Sequence, residues 1–311
     1  MKRKAKNFLK RIWYFKPVQF VAQRLFVAFE YSTNYKLERR RFYKRTGYKL
    51  ELNPPRSFNH KIVYKKLYDR NPLLPIVADK YRVREHVKTK LGPEIASQVL
   101  IPLLYVTDDP ETIPFSELPD KYVIKANHAS GRNILVHNAN DVNKDEIIKT
   151  CKQWLKEPYG FFKHEWAYSQ IDRKIVIEKM LLDNGSIPKD FKFHMFNGKW
   201  FMTQVNEGDF ADKAGRNLTL LDTNWDMFDV FWEFAPMSEA PKKPSKLKEM
   251  IKISEKLSED FDYLRVDLYC LDSDDIYFGE MTLYPTSGSP IVKPSKFDFW
   301  LGEEWEKSVL N

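Results

Sequence analysis

Residues Tyr263 to Tyr284 alternate apolar and polar side chains on both sides of Asp272-Ser273-Asp274. A stretch with period-two alternation around turn-forming residues has one economical conformation, a two-stranded antiparallel hairpin. Asp and Ser favour tight reversals, so the turn is expected at Ser273-Asp274. With that centre, Asp267 falls directly opposite Glu280 and Arg265 opposite Thr282, with Cβ atoms about 5 Å apart. Leu264, Val266 and Leu268 then point the other way, into a core.

Two carboxylates opposed on one face repel unless a cation or a shared proton lies between them. One solution is a magnesium ion, a hard cation that takes oxygen ligands and commonly uses one or two carboxylates together with substrate phosphates. Arg265 beside the pair would then neutralise developing phosphate charge. The other solution is an ordinary hairpin in which Arg265 bridges both acids.

Composition describes a folded chain of one large or two interlocked domains: 311 residues, 43% hydrophobic and 15% aromatic, which excludes a disordered or collagen-like polymer. The formal net charge of +8 is unevenly distributed. Residues 1–45 hold fourteen Lys and Arg against only Glu30 and Glu38, a net +12, and the remainder carries 37 basic and 41 acidic groups, a net −4. A body of that sign is a poor phosphate-backbone binder, so nucleic acid is not an expected partner. Cys151 and Cys270 belong to no metal or redox spacing and are expected as reduced structural thiols. The charged start lacks the uninterrupted apolar run of a signal peptide, so a cytoplasmic location is expected.

Along the chain, residues 1–46 read as two basic amphipathic helices separated at Lys16-Pro17. The first carries Phe8, Leu9, Ile12, Trp13 and Phe15, the second Val18, Val21, Leu25, Phe26 and Phe29. The longest apolar stretch falls short of the ~20 residues needed to cross a bilayer. Two readings stay open: the pair lies peripherally on the anionic inner face of a membrane, or it packs on the protein's own body. We take 1–50 as this helical segment and 54–305 as the main domain. Ser57 can cap a helix to about Tyr68, and Asn71-Pro72 opens one ending near Leu91 with Gly92 as its stop. Ile101–Val106, Lys121–Ala126 and Lys174–Met180 are expected strands, with a helix at Lys144–Lys156. Asn197-Gly198 sets a type I′ hairpin over Asp190–Asn206, and Leu247–Ser258 is a further helix. The fold class is α+β, helices first and antiparallel strands later.

Within this frame other residues suit a nucleotide. Lys125 leaves a strand beside the small polar loop His128-Ala-Ser130-Gly131, a setting for phosphate oxygens or simply a surface loop. Glu178 interrupts an apolar strand, where it could accept from an adenine amino group or a ribose hydroxyl, or pair with a lysine. Lys192 and His194 share one face of the Asn197-Gly198 hairpin, looking into a cleft or into water.

The order of these pieces resembles the ATP-grasp superfamily. Ser57-Phe-Asn-His-Lys61, Leu67-Tyr-Asp-Arg-Asn-Pro72, Ala78-Asp-Lys80-Tyr-Arg-Val-Arg84 and Phe278-Gly-Glu-Met-Thr282 look like its TupA-like branch, found with cell-surface polysaccharide genes. The resemblance implies two α+β subdomains clamping ATP. Lys80 and Lys125 would contact the phosphates, His128 to Gly131 would close over them, Glu178 would hold the adenosine, and Asp267 and Glu280 would bind magnesium. Lys192 joins the nucleotide set. Thr282 stands where the superfamily usually has Asn, which weakens one metal ligand. The implied chemistry is ligation of a carboxylate, from a saccharide or an amino acid, to an amine through an acylphosphate during capsular polysaccharide synthesis. The alternative is a glycosyltransferase with a metal–nucleotide-sugar site, since Asp272-Ser273-Asp274 imitates a D-x-D motif.

Overall fold

A computed structural model of the chain describes residues 16–207 and 216–308. The expected helix with Phe8 to Phe15 lies outside them. The following basic stretch is two helices rather than one, α1 (Lys16–Ser32) and α2 (Lys36–Thr46), because Asn34 and Tyr35 adopt left-handed backbone between them. Glu30, at the end of α1, accepts from the backbone N–H groups of Leu37 and Glu38 at 2.9 and 3.1 Å. It so caps the first turn of α2 with a negative charge.

Helix α3 (Phe58–Tyr68) starts where the sequence places it. Ser57 Oγ accepts from the His60 amide, and the His60 ring reciprocates to the Ser57 amide. The helix expected from Asn71 to Leu91 is broken into α4 (Leu74–Ala78) and α5 (Val83–Val99). Asp79 accounts for the interruption, its Oδ1 accepting from the Tyr81 and Arg82 amides in a local turn that competes with helix. Gly92 does stop a helical segment, but Pro93 reopens it and the axis kinks there.

Two antiparallel sheets follow. The smaller comprises β1 (Leu103–Thr107), β2 (Tyr122–Ala126), β3 (Asn133–Val136) and, after α6 (Lys144–Lys156) and the short α7 (Trp166–Ser169), β4 (Ile175–Lys179), in the order β1-β4-β2-β3. Its own core is Ile113, Tyr122, Ile124, Ile147, Ile175 and Ile177 with Cys151. The larger sheet holds β5 (Asp190–Phe196), β6 (Lys199–Glu207) and β7 (Asn217–Leu221). After β8 (Phe231–Trp232) and α8 (Leu247–Ser258) it gains β9 (Tyr263–Cys270) and β10 (Ile276–Thr282), in the order β10-β9-β5-β6-β7. Finally β11 (Val292–Lys293) pairs with β8, and α9 (Ser295–Lys307) ends the described chain. The sequence reading had not anticipated β3, β7, β8, β11 or α9.

The β9–β10 hairpin reaches the expected pairing by an unexpected route. Near the turn the register is one residue tighter, with Phe278 opposite Leu268 and Ile276 opposite Cys270. A bulge at Gly279 restores it, so that Glu280 faces Asp267 and Thr282 faces Arg265. Glycine suits the bulge, since a Cβ would lie 3.0 Å from the Asp267 carbonyl oxygen and 3.1 Å from the Tyr269 ring, closer than side chains ordinarily sit. The Asp272-Ser273-Asp274 turn sits beyond this, its acids engaged by Asn184 and Ser245.

The large sheet is covered on both faces. Phe191, Phe193 and Met195 enter the main core as expected. His194, expected on a face looking into a cleft or water, is instead buried between the Tyr263 hydroxyl at 2.9 Å and Gln204 Oε1 at 3.3 Å, under the rings of Phe58 and Trp232. Burial pushes its imidazole down to about 3, so it stays neutral. Phe58 of α3 and Trp232 of β8 form this cover, with α9 packed against α3, and alternation alone cannot reveal a lid that arrives from distant sequence.

Gly302 lets those two helices meet: a Cβ would lie 2.0 Å from the Arg56 carbonyl oxygen. Gly302→Ala is therefore expected to cost about 3 kcal/mol, the upper range for overpacking, read by urea unfolding. Asp298, on α9, accepts from the Asn59 amide at 3.0 Å and from the Tyr48 hydroxyl. Burial raises its carboxyl from 3.8 to about 6. The folded state therefore holds a proton that the unfolded chain has released, and this contribution is complete below 3.8 and is lost as pH rises through about 6. A shift of roughly two units corresponds to about 3 kcal/mol. Urea midpoints across that window should fall with rising pH in the native chain and lose this component in Asp298→Asn.

Candidate functional site

The β9–β10 acids are held apart by protein cations. Arg265 Nε and Nη2 each lie 2.7 Å from an Asp267 oxygen in a bidentate pair, while Nη2 stands 3.8 Å from Glu280 Oε1 and donates to Thr282 Oγ1 at 3.0 Å. Lys192, from β5 in register with Asp267, donates to Asp267 Oδ2 at 2.8 Å and pairs with Asp190. Lys80 Nζ lies 3.3 Å from Glu280 Oε2. The bridging of both acids by Arg265, one of the two solutions open from sequence, is thus present. Charge repulsion alone does not demand a metal.

Burial alone would raise the Glu280 carboxyl, but the charges of Lys80, Arg265 and Lys192 outweigh it and hold it down at about 2. The same acids keep Lys192 and Arg265 protonated: burial disfavours both cations, and Asp190 and Asp267 for the lysine, and Asp267 for the arginine, raise their pKa. Among the described residues no three His, Cys, Asp or Glu side chains stand together as a metal cluster, so a metal here would have Asp267 and Glu280 as its only carboxylates. That donor set fits magnesium, which keeps waters and takes phosphate oxygens at its other positions. Glu280, ionised and in only loose contacts, is ready to serve, whereas Asp267 would have to exchange Arg265 for the ion.

The small sheet supplies a second cluster. Glu178 on β4 pairs with Lys125 on β2 at 2.6 Å and with Arg84 on α5 at 3.1 Å. Burial first, then the charges of Asp190, Glu280, Asp267 and Glu178, push the Tyr269 hydroxyl well up. Lys80 is placed by Asn127, the residue after β2. The Asn127 carbonyl accepts from the Lys80 amide, its Nδ2 donates to Asp79 Oδ1 and to the Asp172 carbonyl, and its Oδ1 accepts from the Lys174 amide.

The loop after β2 is tight rather than free. The Ala126 amide closes it on the Arg132 carbonyl at 3.0 Å, Gly131 takes φ +70°, and Arg132 is tied to the end of α6 through Trp154 and Glu157. His128 is buried, lies 3.3 Å from both Arg132 and Asn127, and is pushed down to about 3 by burial and by Arg173 and Arg132. It supports the loop from behind, and Ser130 is the loop residue that reaches the cleft.

That cleft has a volume of about 450 Å³. It is lined by Lys80, Ser130, Arg265, Glu280 and Thr282 and, from other parts of the chain, by Arg41 and Arg45 of α2 with Lys163 and Glu165. The sequence reading named Ser130, Arg265, Glu280 and Thr282 from their own pattern and Lys80 from the family resemblance, but not Asn127, which holds Lys80. Arg41, Arg45, Lys163 and Glu165 were missed. Asp79 had a readable signal, an acid two residues before the amide it caps, but nothing local marks Arg41 or Lys163 as cleft residues.

The sequence model of the TupA-like ATPgrasp family matches residues 60–306. Among solved structures, the chain is similar to D-alanine–D-alanine ligase from Bacillus anthracis complexed with ATP, at 17% identity over 75% of this chain and 65% of that one, with a TM-score of 0.43. It is also similar to N5-carboxyaminoimidazole synthetase from Staphylococcus aureus complexed with ADP, at 14% identity over 67% and 45%, TM-score 0.40. A third is the ATP-grasp ligase PsnB complexed with a phosphomimetic variant of its minimal precursor, Mg and ADP, at 12% identity over 77% and 60%, TM-score 0.42. The chain spans less than two thirds of the length of each. No curated protein matches it.

Removing Lys192 leaves Asp190 without its cation and Asp267 with Arg265 alone. Lys192→Met is expected to destabilise the fold by about 3–5 kcal/mol in urea unfolding, because a buried charge is stranded. Adding Asp190→Asn should recover part of that loss.

Proposed function

The chain belongs to the TupA-like ATP-grasp family, and from that premise we propose that it is an ATP- and magnesium-dependent carboxylate–amine ligase of cell-surface, capsular polysaccharide synthesis, working in the cytoplasm. The observation that carries this reading is the single cleft where Lys80, Ser130, Arg265 and Glu280 meet. Phosphoryl transfer asks a protein mainly for positioning and charge neutralisation, and these are the groups that supply both. Lys80 and Lys125 would take phosphate oxygens, Glu178 the adenosine, and Ser130 with Gly131 the phosphate edge of the loop. Asp267 and Glu280 would hold magnesium, which when bound offsets phosphate charge. Arg265, already within reach of both acids and open to the cleft, is the residue we assign to the charge that develops on the transferred phosphoryl group. Activation of a carboxylate as an acylphosphate, then attack by an amine, requires an acceptor beside the terminal phosphate. The cations Arg41, Arg45 and Lys163 lining the same cleft suit the carboxylate of a saccharide or an amino acid. We assign His128 and Lys192 to supporting the site.

The test is thermal protection and ADP release by the purified chain. Mg-ATP should raise the unfolding temperature, and ADP should appear when a carboxylate and an amine acceptor are supplied. Asp267→Asn with Glu280→Gln should weaken magnesium-dependent ATP binding at least tenfold, roughly 1.4 kcal/mol. Unchanged ATP binding in that variant would overturn the metal assignment. Protection by a UDP-sugar and not by ATP would favour the glycosyltransferase reading instead.

A further inference from the structure

We propose that the outward faces of α1 and α2 form a docking surface for an anionic bilayer. Helix α1 is packed inside out. Its inward contacts include polar groups: Gln19 donates to the Lys156 carbonyl at 3.0 Å, and Glu30 is fully buried against His164 and the α2 amides. Phe26 is the apolar anchor, 5.2 Å from the Phe161 ring and 5.1 Å from His164. The large apolar side chains face water instead: Leu25 is 66% exposed, Phe20 and Val21 54% each, and Phe29 47%. An apolar helical face of this size on an otherwise polar body marks an interaction surface.

The charges decide what the surface meets. The only acids among residues 1–45 are Glu30 and Glu38, at 0% and 1% exposure, and both are consumed internally, Glu38 by Lys66 at 2.6 Å and Arg41 at 2.8 Å. Every exposed charge on residues 17–45 is therefore positive. Helix α2 presents Lys36, Arg40 and Lys44 outward with Leu37 and Tyr43 between them. Exposed aromatics and aliphatics among cations are what an acidic lipid surface accepts: the apolar side chains enter the acyl boundary, and each Lys or Arg gains from the surface potential. A second copy of the chain would oppose like charges. A nucleic acid would satisfy the cations but give Val21 and Leu25 no apolar phase. No helix among the described residues is long and apolar enough to cross a membrane, so the contact is made along the surface.

The proposal stands independently of the ligase reading, because none of these outward residues lines the cleft. The experiment is flotation of the full chain with vesicles of phosphatidylcholine alone and of phosphatidylcholine mixed with phosphatidylglycerol, at low and high salt. Flotation is expected only with the mixed vesicles, and it should weaken at high salt as surface charge is screened. Leu25→Glu with Phe29→Glu should lower the bound fraction at least tenfold, as should Lys36→Glu with Arg40→Glu and Lys44→Glu. Both variants change exposed positions, and Mg-ATP protection measured on each reports that the fold and nucleotide site persist. Absence of flotation, equal binding to neutral vesicles, or binding unaffected by the first variant overturns the proposal. So does a dimer in solution that Leu25→Glu abolishes, or tight capture of RNA that survives that change.

Discussion

The Asp267 carboxylate is the point on which the architecture turns. It is buried, and both of its oxygens are taken by Arg265 on its own strand, with Lys192 from the neighbouring strand adding a second cation. Glu280 faces it from the third strand. Burying that many charges is tolerable only while each keeps its partners, since a stranded charge costs several kcal/mol and the pairs themselves contribute little net stability. Such a cluster is a poor choice for holding strands together.

The rest of the molecule brings a second surface to that cluster. The small sheet delivers Lys125, Glu178 and Ser130, and Asn127 ties its β2 strand to the Asp79-Lys80 turn, so that Lys80 reaches Glu280 on the large sheet. The buried network of Glu30, Glu38, Lys66 and His164 then locks α1 and α2 against the body, where Arg41 and Arg45 join the lining of the cleft. The segment outside the family match is therefore structurally part of the site. Of the two early readings for it, packing on the body holds for the inward sides of α1 and α2.

Legibility followed range. Elements whose cause is local were readable: the Ser57 cap, the Asn197-Gly198 hairpin with both residues in left-handed backbone, and the amphipathic helices at Lys144–Lys156 and Leu247–Ser258. The Asp267–Glu280 pairing was also readable, though two local deviations, a tighter turn and the Gly279 bulge, cancel to produce it. Unreadable were the features created by distant partners. His194 looks like a surface residue until Phe58 of α3 and Trp232 of β8 cover it, and the stretch around His128 reads as a surface loop until Arg132 pins it to α6.

By itself the sequence determined the α+β class, the hairpins, the opposed acids and the family likeness. Each of these rests on periodicity, turn chemistry or motifs spanning a few residues, where the cause and the effect are neighbours in the chain. Only the tertiary structure decided which cations offset those acids, that Arg41 and Arg45 line the cleft, and that α1 turns its apolar face to solvent. Ion pairing and burial depend on distance in space, and residues such as Lys80 and Glu280, or Glu38 and Lys66, become neighbours only when the whole chain has folded.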